Sequence, residues 1–247
     1  MRLGSRAISK NARPGQFVQI LCADTCDPLL PRPFSFLTAD SKSFSVLYQV
    51  IGKGTHLLSL LKKGEALSIT GPFGNGFLST AGDRPSTFAL VGGGVGIPPL
   101  FHLAQGLLRQ KKIKASQVQV FLGARHKALL LCEKEFKKLG VKLSVATNDG
   151  SKGKKGFVTE ILEDFLRSAD ISRTGIYTCG PSPMLKTVCA LCEKYGVEGE
   201  VSVEEPMACG FGACLGCAIK VKKTGGHRFA IACTEGPVFS AKEILWD

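Results

Sequence analysis

From Thr87 onward the chain alternates short apolar runs with helical patterns, and no other feature restricts its fold as tightly. Strand-like TFALV precedes a helix expected at 98–110, QVQVFLG one at 128–139, KLSVAT one at 158–167 and GIYTC one at 183–195, with VSV closing the series. Five strands separated by four helices predict a parallel, doubly wound sheet. In such a sheet a ligand lies outside the carboxyl ends of the strands, where the strand order reverses. With the order 3-2-1-4-5 that place falls between the first and fourth strands.

Both turns at that place carry glycine: GGGVGIPP (92–99) after the first strand and CGPSPM (179–184) after the fourth. Gly92, Gly93, Gly94 and Gly96 would let backbone approach a pyrophosphate facing the helix start at Pro98. Cys179, Gly180 and Pro181 form the opposite turn. Tight strand-to-helix turns use glycine with no ligand as well, so the nucleotide reading rests on the two turns together. Cys179 either contacts a nicotinamide ring or fills a tight space, and the sequence leaves both open. The uncharged run Thr87–Leu108 has the length of a membrane span, but its glycines and prolines argue for the turn instead.

The first third reads as β. FSFL (34–37) and FSVLYQVI (44–51) flank the turn formers TADSKS, a hairpin pattern. GTHLLSLLKKG reads as a short helix with Thr55 as N-cap, Lys62 and Lys63 near its C-terminus and Gly64 as its end. ALSIT (66–70) follows as a strand before GPFGNGF. The expectation is a small antiparallel barrel with one short helix, joined to the sheet through STAGDRPS (79–86). Arg32 could pair with a phosphate, and Gly54 and Thr55 open a helix whose amides attract anions. Alone, these residues read as a surface arginine and an ordinary cap.

From about Glu204 the alternation stops. Cys209-x4-Cys214-x2-Cys217, with Cys233 after fifteen further residues, has the spacing of a plant-type [2Fe–2S] centre. Gly210, Gly212 and Gly216 suit a loop that turns its amides toward sulfur. A zinc site is the competitor, pairing Cys189-x2-Cys192 with Cys214-x2-Cys217 across twenty-one residues. Leu185, Val188, Cys189 and Cys192 instead recur on one helical face, which makes those two cysteines core. Zinc would also leave Cys209 and Cys233 without a role. AIKVKK and RFAIAC form a hairpin too small to hold a core unaided, so this lobe needs a staple.

Ten cysteines without an apolar leader near MRLGSRAISKNARPGQF point to a reducing compartment. Cys22, Cys26 and Cys132 have no spacing signal and read as structural. The net charge of +12 comes from scattered lysine pairs, not a basic stripe interleaved with aromatics, so it favours solubility first and an acidic protein partner second. His56, His102, His126 and His227 stand singly and no catalytic triad or carboxylate pair is readable, which leaves the chemistry to cofactors.

The succession RPFS, LYQVIGKGT, GPFGNGF, GGGVGIPPL, ATNDGSKGKKGFVT, YTCGPSPM, MACGFGACLGC and CTEGPVF resembles the electron transfer subunits of NAD-dependent dihydroorotate dehydrogenases, among the ferredoxin reductase-like flavoproteins. That resemblance implies an FAD-binding β-barrel over 1–82, a Rossmann-like NAD-binding domain over 83–203 and a [2Fe–2S] lobe over 204–247. It implies FAD contacts from Arg32, Pro33, Phe34, Ser35, Leu47, Tyr48, Gln49, Gly54 and Thr55, and cluster ligation by Cys209, Cys214, Cys217 and Cys233. It further implies a cytoplasmic partner subunit that carries FMN and oxidises dihydroorotate in pyrimidine biosynthesis, two copies of each subunit, and electron flow through [2Fe–2S] and FAD to NAD+. NAD over NADP also rests on the resemblance, because GARHK offers Arg125 and Lys127 and no acid for a ribose. The chain departs from the pattern in a shortened first barrel strand ahead of ARPGQF, in Gln49 where arginine is usual, and in Pro206 before the cysteine block. Other reductase complexes of hydrogenase or transhydrogenase type, and a zinc-stabilised nucleic-acid-binding module, are the alternatives.

Overall fold

The computed structural model describes residues 1–77, 85–110 and 113–246. The first unit contains β1 (Arg2–Gly4), the single turn α1 (Arg6–Ser9), β2 (Phe17–Ile20), β3 (Arg32–Ala39), β4 (Ser43–Val46), α2 (Lys53–Leu60) and β5 (Ile69–Phe73). Its strands form one antiparallel sheet in the order β1-β4-β3-β2-β5. The expected hairpin is β3–β4. The residues ahead of ARPGQF supply β1, which pairs with β4 in the register Leu3↔Phe44. Val18, Ile20, Phe36 and Phe44 fill the barrel core, the two phenylalanines edge to face at 5.2 Å.

Four local expectations here are corrected. β4 stops at Val46, because Leu47, Tyr48 and Gln49 leave the sheet to face a cleft. Gly52, not Thr55, caps α2; the Thr55 hydroxyl sits one turn in and accepts from the Gly52 and Ile51 N–H groups at 3.2 and 3.1 Å. α2 ends at Leu60, so Lys62 and Lys63 lie beyond its dipole, and β5 begins at Ile69, later than ALSIT placed it. The expected junction at 79–86 lies outside the described residues except for Pro85 and Ser86.

The second unit runs β6 (Thr87–Gly93), α3 (Ile97–Arg109), β7 (Val118–Ala124), α4 (Glu133–Lys138), β8 (Lys142–Thr147), β9 (Lys154–Lys155), α5 (Val158–Leu166), β10 (Thr174–Cys179), α6 (Ser182–Tyr195) and β11 (Glu198–Ser202). The helix expected at 128–139 is shorter: Lys127–Leu129 is a separate 3-10 turn, and Cys132 takes a left-handed φ of 56° just before α4. Pro98 and Pro99 occupy the first turn of α3, where no amide partner is lost. Gly196, at φ 66°, closes α6.

β12 (Ala218–Lys223) and β13 (Gly226–Ile231) form the expected hairpin, and β14 (Val238–Ser240) ends the chain's strands. β14 adds antiparallel to β11, so the large sheet reads β14-β11-β10-β6-β7-β8-β9. Its five central strands follow the expected order, and the reversal lies between β6 and β10, whose ends pair Gly92 with Cys179. Cys217, Ile219, Val221 and Cys233 share one apolar cluster with Phe17 of β2 and with Val188, Cys189 and Cys192 of α6. The last lobe thus borrows its core from the sheet and barrel, beyond any staple it holds itself. All ten cysteines are free, and among the described residues no helix is long and apolar enough to cross a membrane.

Candidate cofactor cleft and cysteine loop

A cleft of about 460 Å³ opens where the barrel meets the large sheet. β3 supplies Arg32, Pro33, Phe34 and Ser35, the segment after β4 supplies Leu47, Tyr48 and Gln49, and α2 supplies Thr55. Tyr48 packs edge-on against Phe34 at 5.6 Å, which builds a flat apolar wall. Gly54 lies behind that wall: a Cβ there would stand 3.1 Å from Cys22 Sγ and 3.5 Å from Arg32 Cγ, so the missing side chain lets Arg32 lie on the helix start. The Arg32 Nη1 donates to the Leu30 and Pro31 carbonyls at 2.7 and 3.3 Å, which leaves Nε and Nη2 for a ligand.

The opposite wall comes from the sheet's carboxyl edge, through Val95, Pro98 and Cys179. The two glycine turns pack on each other here. A Cβ on Gly93 would lie 3.0 Å from Met184 Sδ, and one on Gly92 2.9 Å from Leu100 Cδ1, so these glycines serve close packing of strand and helix. Gly94, at φ 56°, faces open space and precedes Val95 of the cleft lining. Gly180, at φ 157°, and Pro181 stand beside Gly93 at the start of α6. Burial, reinforced by the Glu204 carboxylate and opposed by a hydrogen bond with Ser202, pushes the Cys179 thiol far up, so it remains neutral.

Ser202, Val203, Glu204, Glu205, Pro206 and Met207 close the third side. Of these, sequence reasoning marked only Pro206, as a departure from a motif; the rest could have been found only from their position just ahead of the cysteine block. Glu204 keeps contact with solvent inside the concavity, and desolvation there raises its carboxyl above the usual range, as it does for Glu205. Phe17 of β2 and Pro237 complete the lining.

The segment that forms this third wall leads into the cysteine loop. β12 and β13 bring Cys217 and Cys233 together, with the Cys233 N–H donating to Cys217 Sγ at 3.4 Å. The Cys214 N–H donates to Cys209 Sγ at 3.5 Å. Burial pushes the Cys209 thiol up, but the amides of Cys214, Phe211 and Ala213, with the Cys214 side chain, outweigh it and bring it down to about 6. Cys233 is pushed up to about 11 by burial and by Cys217, opposed by the Gly212 N–H, which ties the first loop to the fourth cysteine. Left-handed backbone at Gly210 (φ 80°), Gly212 (φ 89°) and Leu215 (φ 57°) turns this loop on itself. A Cβ on Gly212 would stand 2.9 Å from Thr234 Cγ2, whereas Gly216 meets nothing closer than Cys214 Sγ at 3.7 Å.

Amides aimed at sulfur, free thiols and a loop without room for side chains at Gly210 and Gly212 fit an iron–sulfur centre. Among the described residues no three His, Cys, Asp or Glu side chains converge tightly enough to hold a single metal ion. Cys189 and Cys192 are buried on α6, as their helical spacing required. The lobe is fastened to the barrel by Asn75, whose side-chain amide donates to the Thr234 and Glu235 carbonyls at 3.2 and 2.9 Å.

Known proteins match this arrangement. The iron-sulfur cluster binding domain of dihydroorotate dehydrogenase B matches residues 204–245, and the oxidoreductase NAD-binding domain matches residues 90–190. The dihydroorotate dehydrogenase B (NAD(+)) electron transfer subunit of Caldanaerobacter subterraneus subsp. tengcongensis is 43% identical over 96% of this chain and 89% of its own. The same subunit from Desulforamulus reducens is 40% identical over 100% of this chain and 92% of its own. Among solved structures, one described for the NADH-dependent reduced ferredoxin-NADP oxidoreductase superposes with a TM-score of 0.80 at 32% identity, over 99% of this chain and 84% of that one. The cytochrome b5 reductase domain of Ulva prolifera nitrate reductase shares the fold, with a TM-score of 0.62 at 19% identity over 79% of this chain and 86% of that one.

Proposed function

The chain belongs to the family of the dihydroorotate dehydrogenase B (NAD(+)) electron transfer subunits, and from that premise we propose how its residues divide the work. It is an NAD-linked oxidoreductase subunit that uses FAD, an iron–sulfur cluster and NAD. When bound, these groups supply what side chains lack: single-electron exchange at the cluster, hydride exchange at nicotinamide, and a flavin able to do either.

Arg32, Pro33, Phe34, Ser35, Leu47, Tyr48, Gln49, Gly54 and Thr55 hold FAD, with Arg32 and the start of α2 toward its phosphates and Tyr48 along an apolar face. Gly92, Gly93, Gly94, Gly96, Cys179, Gly180 and Pro181 shape the NAD site, in which the neutral Cys179 thiol limits how closely a ring can approach. Cys209, Cys214, Cys217 and Cys233 ligate a [2Fe–2S] cluster. The three cofactors thus divide over residues 1–82, 83–203 and 204–247. The observation that carries this reading is the single cleft, lined at once by β3, by the sheet's glycine-turn edge and by the Glu204–Met207 segment that leads into the cysteines.

Electrons enter from a catalytic partner subunit, which the family name requires. The partner carries FMN, oxidises dihydroorotate in pyrimidine biosynthesis and assembles with this chain in the cytoplasm as two copies of each. Phe211 and Leu215, both 60% exposed beside the exposed Cys214, give the cysteine loop an apolar rim for such a partner. The likeness to the reduced ferredoxin-NADP oxidoreductase structure favours a reductase subunit of another complex as the second reading. Mixing the cofactor-loaded chain with an FMN-bearing dihydroorotate dehydrogenase subunit separates them. Dihydroorotate-dependent NAD+ reduction that needs both proteins supports the first reading, and its absence in a physically formed complex supports the second.

A further inference from the structure

We infer that Gln19 positions and tunes the iron–sulfur centre by donating a side-chain N–H to a cluster sulfur behind Cys209; the inference rests on the cluster reading above. β2 is buried on both faces, which is unusual for a strand of an open barrel. Val18 and Ile20 enter the barrel core, while Phe17, two residues before Gln19 and hence on its face, joins the apolar cluster that contains Cys217 and Cys233. Gln19 is only 1% exposed, yet neither its Nε2 nor its Oε1 has a hydrogen-bond partner. A carboxamide in that position is costly unless something the chain does not itself provide accepts from it.

Its neighbour identifies the acceptor. Gly210 follows Cys209 directly, is buried and has a φ of 80°. A Cβ on Gly210 would lie 2.5 Å from Gln19 Nε2, 2.6 Å from Cγ and 2.9 Å from Cδ, so the loop lacks a side chain at the spot where the amide presses against it. Leucine would fill the same volume without a polar group to satisfy. The acceptors a loaded site adds beside Cys209 are the cluster's sulfide sulfurs, and an N–H directed at one favours the more negative, reduced cluster. Gln19 also lies on the strand that pairs with Pro33 of the cleft, so one strand joins the cleft wall to the residue packed against the cysteine loop.

The test is an EPR-monitored redox titration of the cluster-loaded, FAD-loaded protein and of Gln19→Leu. The cluster midpoint is expected to fall in Gln19→Leu with the FAD midpoint unchanged, and to recover in Gln19→His, whose Nε2–H has similar reach. If Gln19→Leu does not retain iron, Gln19→Met carries the same comparison. Wild-type protein with ¹⁵N-labelled glutamine is expected to show a side-chain nitrogen coupling to the reduced cluster by pulsed EPR. An unchanged cluster midpoint in the iron-retaining variants, or no such coupling, would overturn the role of Gln19. Wild-type protein that loads FAD but gives no reduced-cluster signal would overturn the cluster reading itself, and the inference with it.

Discussion

Gly96 stands backbone to backbone with Cys179: a methyl on Gly96 would lie 2.5 Å from both the carbonyl carbon and the carbonyl oxygen of Cys179. The two glycine-bearing turns therefore pack in direct backbone contact, with no room for a side chain between them. Gly96→Ala is expected to cost about 1–3 kcal/mol by overpacking and to weaken NADH binding while FAD is retained. Thermal unfolding and an NADH titration check it; unchanged values in both would mean that the contact is slack.

Arg32 tests the flavin wall. Truncating a guanidinium that meets a phosphate removes a charge-assisted hydrogen bond of about 1.5–3 kcal/mol, so Arg32→Ala should weaken FAD binding roughly 10- to 100-fold. Recovery of flavin fluorescence on dilution measures it. Retention of full affinity would remove Arg32 from the site.

The cysteines separate cluster from core. Serine at Cys209, Cys214, Cys217 or Cys233 should each abolish the broad visible absorbance and lower bound iron, whereas Cys189→Ala and Cys192→Ala should leave both intact, at a modest loss of stability. Iron loss from the α6 variants would restore the zinc-type pairing that the helical face argues against.

His102 on α3 packs edge-on to Phe36 of the barrel at 6.2 Å, and its Nδ1 has no partner. Burial, with Arg109 adding to it, lowers its pKa from 6.5 to about 4. Above pH 6.5 neither the folded nor the unfolded chain protonates it. Between 6.5 and about 4 only the unfolded chain does, so stability falls as pH falls, by on the order of 3 kcal/mol in all. Below about 4 the loss levels off. His102→Leu should flatten that part of the stability profile relative to wild type, and an equally steep profile in both would place the titration elsewhere.

Much of this architecture was legible because local pattern and global fold agree. The alternation after Thr87 has one economical solution, and it places Gly92 beside Cys179 before any contact is known. The hairpin expected from AIKVKK and RFAIAC is likewise formed, and its short turn returns Cys233 to Cys217. Long-range closure was not legible. Glu204 and Met207 become cleft residues only because β14 returns to β11 and holds the lobe against the barrel. Gln19 carries no local signal at all, since its burial comes from a loop almost two hundred residues away in sequence. Local errors had local forms: a left-handed Cys132 starts α4 late, and Leu47 to Gln49 line the cleft instead of extending β4.

The most direct measurement is an anaerobic NADH titration of the iron-replete, FAD-supplemented protein followed by visible absorbance. One cleft lined by β3, by the sheet's carboxyl edge and by the segment that leads into the cysteine loop predicts, on the proposed reading, that NADH bleaches a flavin band and a broader iron–sulfur band together. A colourless protein holding zinc at its cysteines, or a flavin that bleaches while the iron–sulfur band stays oxidised, would contradict it.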